Sequence, residues 1–317
     1  MANKRLQPKV VSPENVVSPQ NVVTPEGIAL IEAVLRSRSR NKEYLANLAG
    51  FEPGEVSLET NQDREAIVLR GHEEWVRTAA FSPDGTSAIT ASSDATARLW
   101  RVAAGAAGPV LRGHEGEVTT AAFSPDGAWA ITASADSTAR LWRVADGAAG
   151  PVLRGHEGWV HTAAFSPDGA WTITASADDT ARLWRVADGA AGPVLRGHEK
   201  TVWAAAFSPD GVWAITASDD DTARLWRVAD GVAGPVLRGH DDGLCTAAFS
   251  PDGALAITAS RDRTARLWRV ADGTAGAVLR GHKDWVKSAV FSPDGAWAIT
   301  ASGDHTARLW RVYAASR

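Results

Sequence analysis

The sequence has little cysteine and no long apolar run, and each shortage removes a class of protein. Its single cysteine, Cys245, cannot form an internal disulfide, so a reducing compartment fits the chain best. No stretch approaches the roughly 18 consecutive apolar residues of a membrane-spanning helix, and the sequence after Met1 lacks the apolar core of a signal peptide. These features predict a soluble, cytoplasmic protein with no membrane partner.

An excess of charge of one sign is also missing. The formal net charge is −4 and the isoelectric point is near 6.1, which gives no basic footprint for nucleic acid. The sequence also has no Walker motif, no G-x-G-x-x-G and no H-E-x-x-H, and it has no His and Cys cluster at metal-ligand spacing. We therefore expect no cofactor, no metal and no enzymatic activity.

What the chain does contain is one 42-residue unit, repeated six times between about residue 65 and residue 312. Each unit carries Leu-Arg-Gly-His, Phe-Ser-Pro-Asp-Gly and Ala-Arg-Leu-Trp-Arg-Val, as in Leu69–His72, Phe81–Gly85 and Ala97–Val102. Units 107–148 and 149–190 differ at only four of 42 positions. A fixed period near 40 residues with a Gly-His and a terminal Trp is typical of a β-propeller.

Each unit divides into four short strands separated by turn residues. In the second unit we predict strands over 109–112, 118–123, 129–134 and 139–144, with Ser124-Pro125-Asp126-Gly127 as a tight turn. Four antiparallel strands of this length form one propeller blade. The sequence therefore predicts an all-β domain at 65–312, followed by a short tail at 313–317.

Residues 1–64 share nothing with the repeats. Their prolines at six-residue intervals, from Pro13 to Pro25, favour an extended strap, and Ile28, Ile31, Val34 and Leu35 form a short helical stripe. We expect an extended and helical N-terminal segment that docks on the propeller, binds an effector or mediates oligomerisation.

The six units resemble the WD40 family of β-propellers. The resemblance implies a buried hydrogen-bonded tetrad of His, Thr, Asp and Trp in each blade. The matching residues are His72, Thr90, Asp94 and Trp100; His114, Thr132, Asp136 and Trp142; His156, Thr174, Asp178 and Trp184; His198, Thr216, Asp220 and Trp226; His240, Thr258, Asp262 and Trp268; and His282, Thr300, Asp304 and Trp310.

His, hydroxyl and carboxylate are also the ingredients of a nucleophilic triad, but six identical sets argue for structure rather than catalysis. Two departures from the family pattern are visible. Trp-Arg replaces the usual Trp-Asp in every unit, and there are six units where the family most often has seven blades. We expect six blades, with residues 66–70 completing the last blade and closing the ring.

Differences between the copies concentrate three and five residues after the His and on both sides of the tetrad Asp, whereas the Ser-Pro-Asp-Gly and Ala-Asp-Gly turns hardly vary. In the propeller layout these variable positions share one face. The predicted binding residues are Trp75, Arg77, Trp159, His161, Trp203, Arg261, Arg263, Trp285, Lys287, Asp179, Asp219 and Asp221.

Ring closure would set Trp285 and Lys287 beside Trp75 and Arg77, with the three aspartates opposite. Tryptophan and arginine dominate the energetics of many interfaces, so we expect binding of a protein or peptide, with acidic or phosphorylated groups on the basic side. Two alternatives remain open: a sensor module of a bacterial defence or signalling system with a diversified face, and a lectin-like binder or enzyme.

Overall fold

The structure, a computed structural model, describes residues 67–312, which form six consecutive antiparallel sheets. The first five sheets have four strands each and the sixth has three, always in chain order from one edge to the other. The predicted all-β architecture of six blades is confirmed. The expected N-terminal segment and the tail lie outside the described residues.

The strand bounds repeat with the sequence. Blade 1 contains β1 (Val76–Phe81), β2 (Ser87–Ser92), β3 (Ala97–Arg101) and β4 (Ala106–Leu111), with a short 3-10 turn at Val102–Ala104. Blade 2 contains β5 (Val118–Phe123), β6 (Trp129–Ser134), β7 (Thr138–Arg143) and β8 (Ala149–Arg154). Blade 3 contains β9 (Val160–Phe165), β10 (Trp171–Ser176), β11 (Ala181–Arg185) and β12 (Ala191–Leu195).

The remaining blades follow the same plan. Blade 4 contains β13 (Val202–Phe207), β14 (Trp213–Ser218), β15 (Thr222–Arg227) and β16 (Ala233–Arg238). Blade 5 contains β17 (Leu244–Phe249), β18 (Leu255–Ser260), β19 (Ala265–Arg269) and β20 (Ala275–Leu279). Blade 6 contains β21 (Val286–Phe291), β22 (Trp297–Ser302) and β23 (Ala307–Arg311).

The hydrophobic core lies between blades rather than within one. Ile89 and Leu99 of blade 1 pack against Val118 and Trp142 of blade 2, and the same arrangement recurs at each junction up to that between blades 5 and 6. Alternation along each strand sends one set of side chains to each neighbouring blade. Small alanines at the facing positions allow the sheets to approach closely.

Closure of the ring by residues 66–70 was predicted wrongly. Residues 67–70 carry no assigned strand and do not pair with β23, so blade 6 has three strands within 67–312. Consecutive first strands pack together from β1 and β5 to β17 and β21, but β21 and β1 make no comparable contact. A seam therefore separates blade 6 from blade 1 in the described part of the chain.

The strand order also fixes which loops share a face. The His-containing loop and the turn between the second and third strands of each blade emerge at one end, and the Ser-Pro-Asp-Gly and Ala-Asp-Gly turns emerge at the other. We call the first end the variable face and the second the constant face. The variable face thus carries every position at which the copies diverge most.

Candidate binding face

A chain of hydrogen bonds links the four tetrad residues in each blade. In blade 2, Trp142 Nε1 donates to Thr132 Oγ1 at 2.8 Å, and Thr132 Oγ1 and His114 Nε2 are 2.8 Å apart. His114 Nδ1 lies 2.8 Å from Asp136 Oδ2. The equivalent bonds occur in the other five blades. Within each tetrad, the side-chain polar atoms of Trp, Thr and His all have hydrogen-bond partners, as burial requires.

Electrostatics fix the direction of these bonds. Burial would raise the pKa of Asp136, but hydrogen bonds from Thr138, His114 and Glu115 outweigh it and lower the pKa below the usual value. An ionised carboxylate can only accept, so His114 Nδ1 carries the proton and Nε2 accepts from the Thr132 hydroxyl. Burial lowers the pKa of His114 despite the neighbouring Asp136, which keeps the ring neutral.

This arrangement ties strands together and leaves no reactive atom free. The Thr132 hydroxyl, which would be the nucleophile of a triad, is fully buried between Trp142 and His114. A substrate could not approach it without opening the blade. Residues 67–312 also contain no group of three or more side chains placed to hold a metal ion, and no helix among them is long and apolar enough to span a membrane.

On the variable face, a backbone hydrogen bond joins the two sets of variable positions within each blade. The residue before the tetrad Asp donates its amide to the carbonyl of the third residue after the His, for example Ala135 to Glu117 and Arg261 to Gly243, both at 2.9 Å. Side chains that vary between copies are therefore neighbours in space. The structure brings together the positions that the sequence grouped by variation.

The residue after each tetrad Asp has a left-handed backbone. The positions are Ala95, Ser137, Asp179, Asp221, Arg263 and His305, with φ between 62° and 69°. This conformation favours glycine, yet none of the six residues is glycine. Aspartate occurs at two of these positions, and each of the other four positions has a different residue type. Six strained, variable side chains thus project from the turns of this face.

Blades 3, 4, 5 and 6 share a cluster of variable side chains. The Trp203 ring stacks on His161 with ring centroids 4.2 Å apart. The Arg261 guanidinium lies over Trp285 at 5.0 Å and over Trp203 at 5.8 Å, and its Nη1 is 3.0 Å from Asp219 Oδ1. We call these five residues the Arg261 cluster.

Three of the predicted tryptophans are largely exposed. Trp75 is 75% exposed, Trp159 56% and Trp285 48%, all on the variable face. Trp203, which is also a predicted binding residue, is half-buried in the Arg261 cluster. Large exposed aromatic surface is unfavourable in water, so it is typical of a face that binds something.

Two expectations about the arrangement of side chains on the variable face were wrong. Trp285 contacts Arg261 rather than Trp75 or Arg77, because the seam lies between blades 6 and 1. Arg77 instead turns to blade 2, where its Nη2 is 2.5 Å from Glu117 Oε2.

The acidic side chains are also not opposite the basic ones, since Asp219 pairs directly with Arg261. Asp179 does lie in an acidic region: burial, and then the charges of Asp178 and Asp220, raise its pKa. Among the residues described, no ion pair involves Arg263 or Lys287, so their charges face solvent on the basic side.

The sequence reasoning missed one part of this face. An open depression of about 490 Å³ between blades 5 and 6 is lined by Arg261, Arg263, Lys283 and Trp285, together with four aspartates. The signal was available in the two residues after the His, which are Glu-Gly in blades 2 and 3 but Asp241-Asp242 and Lys283-Asp284 here. That difference places mixed charge beside exposed aromatic surface.

Six repeated sheets and six His–Thr–Asp–Trp tetrads define a WD40-type β-propeller. Residues 55–311 match the family model of the IFT122 first β-propeller, and the chain belongs to that family. WD40 propeller families are generally non-catalytic scaffolds, and this fold is consistent with a protein-interaction module. No curated protein matches the chain at a significant level.

Proposed function

We propose that this propeller binds a peptide or an exposed protein loop at its variable face, without catalysis. The observation that carries the proposal is the Arg261 cluster, where His161 Nε2, Trp203 Nε1 and Arg261 Nε are buried and have no hydrogen-bond partner. Such atoms are costly to leave unpaired, and carbonyl and carboxylate oxygens of a ligand would satisfy the N–H donors. Asp219 Oδ1 in the same cluster also lacks a hydrogen-bond partner, and an N–H group of the ligand would satisfy it.

Comparison with other unpaired atoms supports this choice of site. The Nε atoms of Arg140 and its five repeats are also buried and unpaired, but these arginines are identical in every blade and belong to the repeated framework. The atoms of the Arg261 cluster come from positions that vary among the blades. Their lack of partners is therefore specific to one part of the variable face.

The chemistry of the face indicates the class of ligand. Arg263 and Lys287 offer positive charge near Trp285, and Asp179 and Asp221 offer negative charge on blades 3 and 4. A guanidinium binds carboxylate or phosphate through paired N–H groups, and the tryptophans add apolar area. The ligand that fits is a peptide with an acidic or phosphorylated residue beside an aromatic or aliphatic one.

Selection from a displayed random-peptide library tests the proposal, with the whole chain as bait. We expect an acidic consensus whose binding weakens more than ten-fold with Trp285→Ala, about 1.4 kcal/mol. Trp297→Ala is the matched control, because Trp297 is similarly exposed (41%) on the same blade but at the constant face. Equal loss with both variants, or peptides that ignore both, would contradict a binding site on the variable face.

A sensor role remains a hypothesis supported by the same variation. Units 107–148 and 149–190 are nearly identical, and three of their four differences fall on the variable face: Glu117/Trp159, Thr119/His161 and Ser137/Asp179. Duplication followed by divergence at one face suits recognition of changing targets. If so, peptides selected by a Glu117→Trp, Thr119→His variant should differ from those of the parent chain.

A further inference from the structure

The Arg261 cluster is electrically neutral although it contains two charged side chains. Arg261 Nη1 lies 3.0 Å from Asp219 Oδ1, and the two side chains are only 26% and 20% exposed. Burial lowers the pKa of His161 by more than the charge of Asp219 raises it, so the imidazole carries no charge at neutral pH. The cation already has its counter-charge, and a further charge placed beside this pair would be partly buried without a partner, which is costly.

The unpaired atoms of the cluster are of both kinds, donors and acceptors. Trp203 Nε1 and Arg261 Nε are buried N–H groups without an acceptor. Asp219 Oδ1 is buried without a donor, because its contact with Arg261 Nη1 is an ion pair that lacks the alignment of a hydrogen bond. His161 Nε2 is also buried and unpaired, and it accepts when Nδ1 holds the proton. Two donors and two acceptors therefore have no partner.

A missing side chain in blade 5 leaves room for the Asp219 carboxylate. The third residue after the tetrad His is Gly243 in this blade, and in the other five blades it is Trp, Glu or Thr. A Cβ at Gly243 would lie 2.6 Å from Asp219 Oδ1 and 3.2 Å from its Cα. The first distance is shorter than any contact that a Cβ tolerates, so the position of the carboxylate depends on this glycine.

The cluster lies deeper than the exposed tryptophans of the variable face. His161 and Trp203 are the second residues of β9 and β13. Trp159 and Trp285 instead precede the strands β9 and β21, and they are 56% and 48% exposed. A peptide that rests on these two exposed rings therefore reaches the cluster with a side chain rather than with its backbone.

We infer that the Arg261 cluster binds the side-chain carboxamide of an asparagine or glutamine, an inference that rests on the peptide binding proposed above. A primary carboxamide has a carbonyl oxygen with two lone pairs and two N–H groups, which matches the two donors and two acceptors. Its oxygen accepts from Trp203 Nε1 and Arg261 Nε. Its N–H groups donate to Asp219 Oδ1 and His161 Nε2. The acidic residue of the same peptide is left for the exposed cations around the cluster.

Other groups of a peptide satisfy the cluster less well. A carboxylate or a phosphate has no N–H for Asp219 Oδ1 and brings a like charge beside it. A backbone amide has a single N–H and leaves one acceptor unpaired. An apolar side chain leaves all four atoms unpaired, and each such atom is costly once water is excluded.

Matched peptides test the inference. Sequences selected from the displayed random-peptide library should carry asparagine or glutamine at one fixed position. One selected peptide is then synthesised with the carboxamide, with the carboxylate of equal length and with an apolar side chain of similar size, which for glutamine are Gln, Glu and Met. By isothermal titration calorimetry we expect the last two to bind the parent chain more than ten-fold more weakly, about 1.4 kcal/mol.

A protein variant should change this preference by improving the binding of one peptide. Asp219→Asn supplies an N–H that can donate to a carboxylate, and it leaves Arg261 without its counter-charge. We expect the ratio of the two affinities to move more than ten-fold toward the carboxylate peptide, a gain that misfolding cannot produce. The matched control is Glu199→Gln, which makes the same chemical change at an exposed residue of the same blade. It should change the ratio by less than about three-fold, because water and salt screen an exposed charge.

The other outcomes separate this inference from the peptide binding on which it rests. Selected peptides that depend on Trp285 but have no asparagine or glutamine at a fixed position would overturn the carboxamide and leave peptide binding in place. Equal shifts of the affinity ratio with Asp219→Asn and Glu199→Gln would do the same, since they would show only a general effect of charge. Failure to select any peptide, or peptides that ignore Trp285→Ala, would overturn both.

Discussion

The six left-handed residues of the variable face allow a prediction in which glycine stabilises the protein. Ala95 has φ of 62°, a conformation that costs a residue with a Cβ about 1–2 kcal/mol. Glycine removes that cost but adds about 0.5–1 kcal/mol of chain entropy to the unfolded state. Ala95→Gly should therefore raise the free energy of unfolding by about 0.5–1 kcal/mol.

Equilibrium urea denaturation measures this change through the transition midpoint at constant slope. The matched control is Ala106→Gly, because Ala106 is an exposed alanine in β4 without a left-handed backbone. At Ala106, glycine relieves no backbone strain, and it only increases the entropy of the unfolded chain and weakens the strand preference. We therefore expect Ala106→Gly to lower the free energy of unfolding by about 0.5–1 kcal/mol. The two alanine-to-glycine changes should thus have opposite signs.

The size of the gain should follow the residue replaced. Aspartate tolerates the left-handed region better than alanine, so Asp179→Gly should gain less than Ala95→Gly. A destabilised Ala95→Gly variant, or equal losses for Ala95→Gly and Ala106→Gly, would refute the assignment of strain to these turns.

Three further predictions concern stability. Asp136→Ala leaves His114 Nδ1 and the Thr138 hydroxyl without their acceptor, so the free energy of unfolding measured with urea should fall by about 2–3 kcal/mol. The control, Asp126→Ala in a turn of the constant face, should lower it by less than about 1 kcal/mol. Similar losses for the two variants would contradict the structural role of the tetrad. Val118→Ala should cost about 2 kcal/mol and Val76→Ala less than about 0.5 kcal/mol, as the difference in burial requires. The pKa values of Asp136 and His114 are both lower in the folded state than in the unfolded state. The unfolded state therefore binds protons more readily, and the protein loses stability on acidification. This loss should begin at about pH 6.5 for His114 and at about pH 4 for Asp136. A melting temperature that increases as the pH is lowered from 6.5 to 3 would contradict this prediction.

The repeat itself made most of the fold predictable. The strands predicted at 118–123 and 129–134 coincide with β5 and β6, because turn residues at fixed offsets bound each strand in every copy. The resemblance to WD40 repeats implied the hydrogen-bonded tetrad, and its His, Thr, Asp and Trp positions recur at constant spacing in all six units. Agreement among copies served as repeated evidence for the same local structure.

Closure of the ring was not predictable in the same way. Whether residues 66–70 join blade 6 depends on the angle between successive blades, which is set by side-chain volumes at five junctions and accumulates around the ring. No local sequence pattern determines this accumulated angle. The wrong neighbours expected for Trp285 and Arg77 followed directly from this one error.

The pairing of Asp219 with Arg261 shows a second limit of sequence reasoning. Both residues precede a tetrad Asp in neighbouring blades, so their separation along the chain, 42 residues, conceals that their side chains meet at 3.0 Å. The variable positions lie on one face, but contacts between blades decide which of their charges remain unpaired.

Strain and variation fall on the same residues, and this links stability to function. A turn selected only for stability would place glycine after each tetrad Asp, as the backbone at Arg263 and His305 favours. All six units forgo that gain and display five different residue types instead, which is expected where a face is shaped by what it binds. We therefore expect Arg263→Gly to raise the melting temperature by about 1–3 °C while weakening selected acidic peptides several-fold. Ala95→Gly should raise the melting temperature similarly and leave those peptides bound, because it removes only a methyl group far from the Arg261 cluster. Unchanged peptide binding by Arg263→Gly would show that the strain serves no recognition at this turn.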